Sequence, residues 1–227
     1  MVSNRLLWAT TLFVLSIAVI SIAGATAPWV GKVLAIADVV LILWWVVALW
    51  GWQILAWLCS RPVVFRLIVA RAMKTPYSHI VNPANPDDFY MRRFWLFNAY
   101  SEDHGKQAAG SDVDNRPFKN LPSIRVHHIM RPDLERDPHN HPWDCARTVV
   151  MQGHYTEVRM DGPRVGHMFN RCAGDTATLN HGMFHRILNV SEGGVWTMFL
   201  VWKKASSWGF QGPEGDVVPW RTYLGKE

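Results

Sequence analysis

The chain has 227 residues, 49% of them hydrophobic, and 23 Lys and Arg against 18 Asp and Glu give it a formal charge of +5. A globular domain typically takes about 100–200 residues, so this length holds one modest domain plus an anchor and excludes two large soluble domains. The basic excess gathers behind an apolar N-terminal quarter, where attraction to anionic lipid accounts for it, and nucleic acid is not an expected partner.

From the N-terminus, Leu6–Val30 is an uncharged apolar run, and a second run, Val33–Leu58, carries only Asp38. Each exceeds the roughly 20 residues a helix needs to cross a bilayer, so two transmembrane helices are expected. A cleaved signal peptide is the alternative for the first, on the small residues Ala23–Ala27, but its apolar core is long for one. The connector Ala27–Lys32 holds one basic residue, whereas Arg61, Arg66, Arg71, Lys74, Arg92 and Arg93 follow the second run. By the positive-inside rule both ends of this hairpin face the cytoplasm, which makes a multi-pass protein of the plasma or inner membrane with a cytoplasmic domain. The expected organisation is a two-helix anchor over 1–60, an amphipathic juxtamembrane helix and connector over 61–100, a polar loop over 101–121 and a β domain over 122–227.

Within that last segment, short β-branched and aromatic runs are separated by turn residues: Ser123–Met130, Ala146–Met151, Tyr155–Met160, Val165–Asn170, Thr176–Leu179, Phe184–Val190 and Trp196–Lys203. No helical period intervenes, so the domain is expected to be an antiparallel barrel or sandwich. The widely spaced Cys59, Cys145 and Cys172 make neither a disulfide framework nor a thiolate zinc site.

Eight of the ten histidines lie between Val126 and His185. In the His139-Asn140-His141 sequence, two imidazoles at spacing two on an extended chain project to one side and can meet a single metal ion. A second group follows: Gly174, Asn180, Gly182, His185 and Asn189. The two groups together, with Gly153 closing the first, resemble the paired motifs of the cupin superfamily, and the His-Pro-Trp-Asp run at 141–144 is similar to that of uncharacterised cupin-like proteins of bacteria and phages. The resemblance covers roughly 122–223. It implies a mainly β, cupin-like antiparallel barrel or jelly roll behind the two transmembrane helices, with His139, His141 and His185 converging on a divalent metal. Where the family usually has a glutamate ligand this chain has Cys145 and Ala146, and Asp144 stands slightly early, so the fourth ligand is either Asp144 or absent.

Three imidazoles suit Fe(II), Mn, Ni, Cu or Zn. A three-histidine set is similar to that of thiol dioxygenases, and an Fe(II)-dependent dioxygenase-type oxidoreductase is the leading expectation, with Fe(II) as cofactor. Strand alternation places Arg125 and His127 together, and Arg147, Tyr155 and Glu157 on an inner face, making Arg125, Arg147, Tyr155 and Glu157 the candidate catalytic residues. The expected partners are the bilayer and a small-molecule or lipid-linked substrate, with a homodimer through edge strands as a further possibility. A 2-oxoglutarate hydroxylase is an alternative, weakened because Asp144 falls one residue late for its HxD motif and Val195 stands where it has Arg. A non-enzymatic metal- or ligand-binding sensor, or an interaction module held at the membrane, is the third reading.

Overall fold

The computed structural model describes residues 28–82, 85–100, 116–204 and 207–225. The chain divides into two compact units, Met1–Trp52 and Gln53–Glu227. Most of the expected first span lies outside the described residues. The second is present as helix α1, Pro28–Cys59. Its described part begins at Pro28, inside the expected Ala27–Lys32 connector, and runs unbroken through the expected second span. Among the described residues α1 is the one helix long and apolar enough to cross a membrane.

Helix α2, Pro62–Ala72, again opens on proline. The sequence alone suggested a helix lying in the headgroup region, but α2 meets the sheet: Phe65 packs edge-on to Trp196 at 6.0 Å. The stretch expected to be a connector is two strands, β1 (Pro76–Asn82) and β2 (Asn85–Phe97). The β domain therefore begins well before Tyr100. Scattered Pro and Asn hid these strands, because β1 pairs with β2 through repeated register shifts rather than clean alternation.

The remaining strands fall close to the expected runs: β3 (Ser123–Ile129), β4 (Trp143–Gln152), β5 (His154–Met160), β6 (Gly166–Cys172), β7 (Thr176–Thr178), β8 (His185–Val190) and β9 (Val195–Lys204). A short hairpin, β10 (Gly209–Gln211) with β11 (Val217–Pro219), precedes the last turn of helix, α3 (Trp220–Tyr223). One sheet runs β1-β2-β3-β9-β4-β7 and the other β6-β5-β8. The second sheet is extended by the segment around His139, which bridges both His185 and Phe210.

From β3 onward, then, the chain alternates between sheets in the order β3-β9-β4-β7 facing the His139 segment-β8-β5-β6. That is the double Greek key of an eight-stranded jelly roll. The turn from β4 into β5 needs Gly153: its φ is +79°, and a Cβ there would lie 2.6 Å from the Gly194 carbonyl oxygen.

The core sits between the sheets, where Ile129, Val150, Tyr155, Ile187 and Val195 pack together. Registers fix the rest of that inner face, since Arg125 pairs with Phe199 and Phe199 with Thr148, and His127 pairs with Thr197 and Thr197 with Val150. The opposite face carries Val126, Met198 and Val149. There His128 stacks on Trp196 with ring centroids 4.1 Å apart.

Candidate metal centre

The inner ends of the two sheets bring three histidines together. His139 and His185 are locked by reciprocal backbone bonds, each N–H donating to the other's carbonyl at 2.9 Å. Asn140 anchors the intervening residue, its backbone N–H donating to the Gly209 carbonyl at 3.1 Å while its Oδ1 accepts from the Gly209 N–H at 2.8 Å. With Asn140 tied outward to β10, the residues on either side of it turn inward. The ligand nitrogens of His139, His141 and His185 lie within 4.8 Å of one another.

Glu157 fixes the protonation pattern. Its carboxylate, fully buried, accepts from His185 Nδ1 at 3.0 Å. Arg159 Nε and Arg171 Nε donate to its other oxygen at 2.8 and 2.9 Å. Burial by itself would raise this carboxyl, yet the hydrogen bond from His185, then the charge and hydrogen bond of Arg159, hold it down at about 2. An ionised carboxylate can only accept, so the His185 proton sits on Nδ1 and Nε2 presents a lone pair. That Nε2 is 2.9 Å from Nε2 of His141. Two nitrogens bound to one ion at about 2.1 Å and at a right angle would stand about 3 Å apart, so the spacing fits a shared ion.

A carboxylate behind a histidine is the usual support of a metal-ligating imidazole, fixing its tautomer and orientation. His139 has a weaker counterpart, with Asp133 Oδ2 3.9 Å from its Nδ1. Asp133 is buried, accepts from the Ile187 N–H at 2.7 Å and also from the Tyr90 hydroxyl. The donor set therefore fits a divalent ion: three imidazoles, an anionic anchor behind one of them, and no protein carboxylate among the converging atoms.

The other sequence-predicted residues separate in space. Asp144 is exposed and pairs with Lys203 Nζ at 3.1 Å, outside the converging group. Buried Trp143 takes the inward position on β4 instead. Arg147 does not share the inner face: it pairs with Leu200, which pairs with Ile124, and it donates to Thr176 Oγ1 at 3.3 Å. The alternation expected from the sequence is one residue out of phase there because the β4–β9 register shifts at Cys145 and Ala146. Tyr155 lies in the core, its hydroxyl pushed upward by burial and by Glu157. Arg125 and His127 do share the inner face.

Asp133, Asn140 and Tyr77, whose hydroxyl is 3.1 Å from His127 Nε2, were not singled out by sequence. Only the Asx between two histidines carried any local signal. The other two are recognisable only once the strands are paired.

Burial pushes His139 down to about 4 against the pull of Asp133, with His185 adding to the shift. Burial also depresses His141, reinforced by His185, His139, His127 and Arg125. Both imidazoles are neutral at pH 7 and ready to coordinate. Because the folded pKa lies below the unfolded one, the unfolded chain takes up the protons first, so stability is present above about pH 6.5 and falls as the pH drops toward 4. For His139 alone the loss approaches about 3 kcal/mol below pH 4. The urea midpoint of the metal-free full-length protein is expected to be level from pH 8 to 7 and to decline between pH 6.5 and 4. A level midpoint across that window would contradict the buried neutral histidines.

An eight-stranded jelly roll with three histidines converging inside it defines a cupin-like domain whose histidines are placed so that they could hold a metal ion. No protein-family model matches this chain and no curated protein matches it. Among solved structures it is similar to a tryptophan-to-tyrosine variant of oxalate decarboxylase from Bacillus subtilis, with 11% identity, a TM-score of 0.41, and coverage of 69% of this chain and 33% of that one. The formate complex of Lactobacillus farciminis oxalate decarboxylase is similar at 14% identity and a TM-score of 0.40, over 67% of this chain and 35% of that one. This chain thus spans about a third of the length of those proteins.

Proposed function

We propose that this protein is a membrane-tethered, metal-dependent enzyme of the cupin type, working as an Fe(II) oxygenase at the cytoplasmic face. The observation that carries the reading is the set of three converging imidazoles without a carboxylate among them, braced by Glu157 through His185. Such a set leaves coordination positions for a small oxidant and a substrate side by side, and the ion supplies the redox chemistry when bound. His139, His141 and His185 would hold it. The protein's own part is to keep His139 and His141 neutral, to orient the three rings through Glu157, Asp133 and Asn140, and to enclose the reacting atoms in the barrel.

The tether is supported by α1: its 32 residues span about 48 Å, more than the roughly 30 Å hydrocarbon core. Val39, Trp44, Val47 and Trp50 are exposed along it, an arrangement stable in lipid and costly in water. The arginines after the helix support a cytoplasmic domain.

The test is elemental analysis of the purified full-length protein after anaerobic incubation with Fe(II), followed by oxygen-uptake measurements. Near-stoichiometric iron with substrate-dependent uptake is the expected result. Iron binding without uptake for any substrate class would leave a metal-binding module, and no retained metal would sink the enzyme reading.

A further inference from the structure

Beside the histidines lies a buried cation with no anion. Arg125 is 9% exposed on the inner face of β3, and among the described residues no carboxylate pairs with it. Its Nε has no hydrogen-bond partner. Two other inward arginines have an anion: Arg159 and Arg171 share Glu157. Around Arg125 there are aromatic rings instead, with its guanidinium carbon 4.9 Å from the centre of Trp95, 5.3 Å from Tyr100 and 4.6 Å from Trp143. Aromatic faces hold a guanidinium in place and keep it charged, but they accept none of its in-plane N–H bonds.

The cage adjoins the metal centre by construction. Trp143 follows His141 by two residues along the chain, and Arg125 precedes His127 by two on one strand face. Phe199, paired with Arg125, lies 5.6 Å from the His127 ring and 5.9 Å from the His141 ring. The charge of Arg125 is felt at both His141 and His127, as their closeness requires.

The charge balance around Arg125 and the three histidines is positive. Neutral imidazoles leave the two charges of a bound ion uncompensated by its ligands, and the nearby Glu157 is already shared by two arginines. The neighbouring Arg93 is engaged, donating to the Ser78 carbonyl at 2.5 Å and lying 4.8 Å over Tyr77. One free planar fork suits a singly charged planar anion, which a guanidinium can grip with two parallel bonds.

We infer that Arg125, held by Trp95, Tyr100 and Trp143, anchors the carboxylate of a small organic acid whose reacting part reaches the three-histidine centre. The inference rests on the metal-centre reading above and adds the substrate class to it.

The test is calorimetric titration of the Co(II)-loaded full-length protein with acetate, benzoate and succinate, and with acetamide and benzamide as uncharged counterparts. Wild type is expected to bind at least one carboxylate saturably and neither amide. Arg125→Met loses this binding, and Arg125→Lys, which keeps the charge but not the fork, weakens it about tenfold. Both variants keep the wild-type Co(II) stoichiometry, which also reports that they fold. No saturable carboxylate binding to the Co(II)-loaded wild type, or wild-type binding by Arg125→Met, would overturn the inference. Failure of the wild type to take up Co(II) at all is a separate result that overturns the metal centre itself.

Discussion

The His139→Ala/His185→Ala protein is expected to retain no divalent metal under conditions where the wild type retains about one ion per chain. Three ring nitrogens lie within 4.8 Å of one another, and removing two leaves His141 alone, which cannot hold an ion against water. Loss of a residue that merely supports a ligand costs about 10–100-fold in affinity, so loss of a ligand should cost more. His141→Ala is the companion variant, because His141 touches the Glu157 cluster only through His185 Nε2 and its removal leaves the carboxylate's own bonds in place. It should weaken metal binding by more than about 100-fold while the far-ultraviolet circular dichroism stays that of the wild type. Wild-type metal content in His141→Ala would show that the ion, if any, sits elsewhere.

Replacing Glu157 with Gln is expected to harm both the metal centre and the fold. Its carboxylate is fully buried and receives His185, Arg159 and Arg171 together. The amide keeps the shape but removes the charge, so two largely buried guanidinium groups lose their anion and His185 loses the acceptor that fixes its tautomer. Breaking a buried pair from one side costs about 3–5 kcal/mol. For a domain of this size each kcal/mol lowers Tm by about 2–4 °C, giving an expected fall of about 6–20 °C. Metal affinity should drop about 10–100-fold through His185 alone. A variant with lowered Tm but unchanged metal affinity would confine Glu157 to a structural role, and unchanged Tm would mean the arginines find water instead.

Comparison of the two histidine-bearing segments explains why part of the centre was legible in the sequence. His139 and His141 are two residues apart on an extended chain, so their common direction follows from strand geometry alone. Gly174, Gly182 and Gly153 mark positive-φ turns, and the motif spacing they set placed His185 at the start of a strand, where it is found. Asp144 shows the limit of the same reading. It is close to the histidines in sequence, yet the register shift on β4 turns it outward to Lys203. Glu157 was visible as a residue that could face inward, but its partner 28 residues away was not.

The sequence by itself determined strands β3 to β9 to within a few residues, the inward pair of histidines and an apolar helix over Val33–Leu58, because each depends on a periodicity or composition contained within a few turns of chain. Tertiary structure alone decided that β1 and β2 join the sheet, that Arg147 faces away from the interior, and that Glu157 stands behind His185. These depend on which strands pair and in what register, and in a jelly roll the chain crosses repeatedly between sheets. A one-residue shift reverses every side chain beyond it, so local pattern cannot carry that information across the crossing.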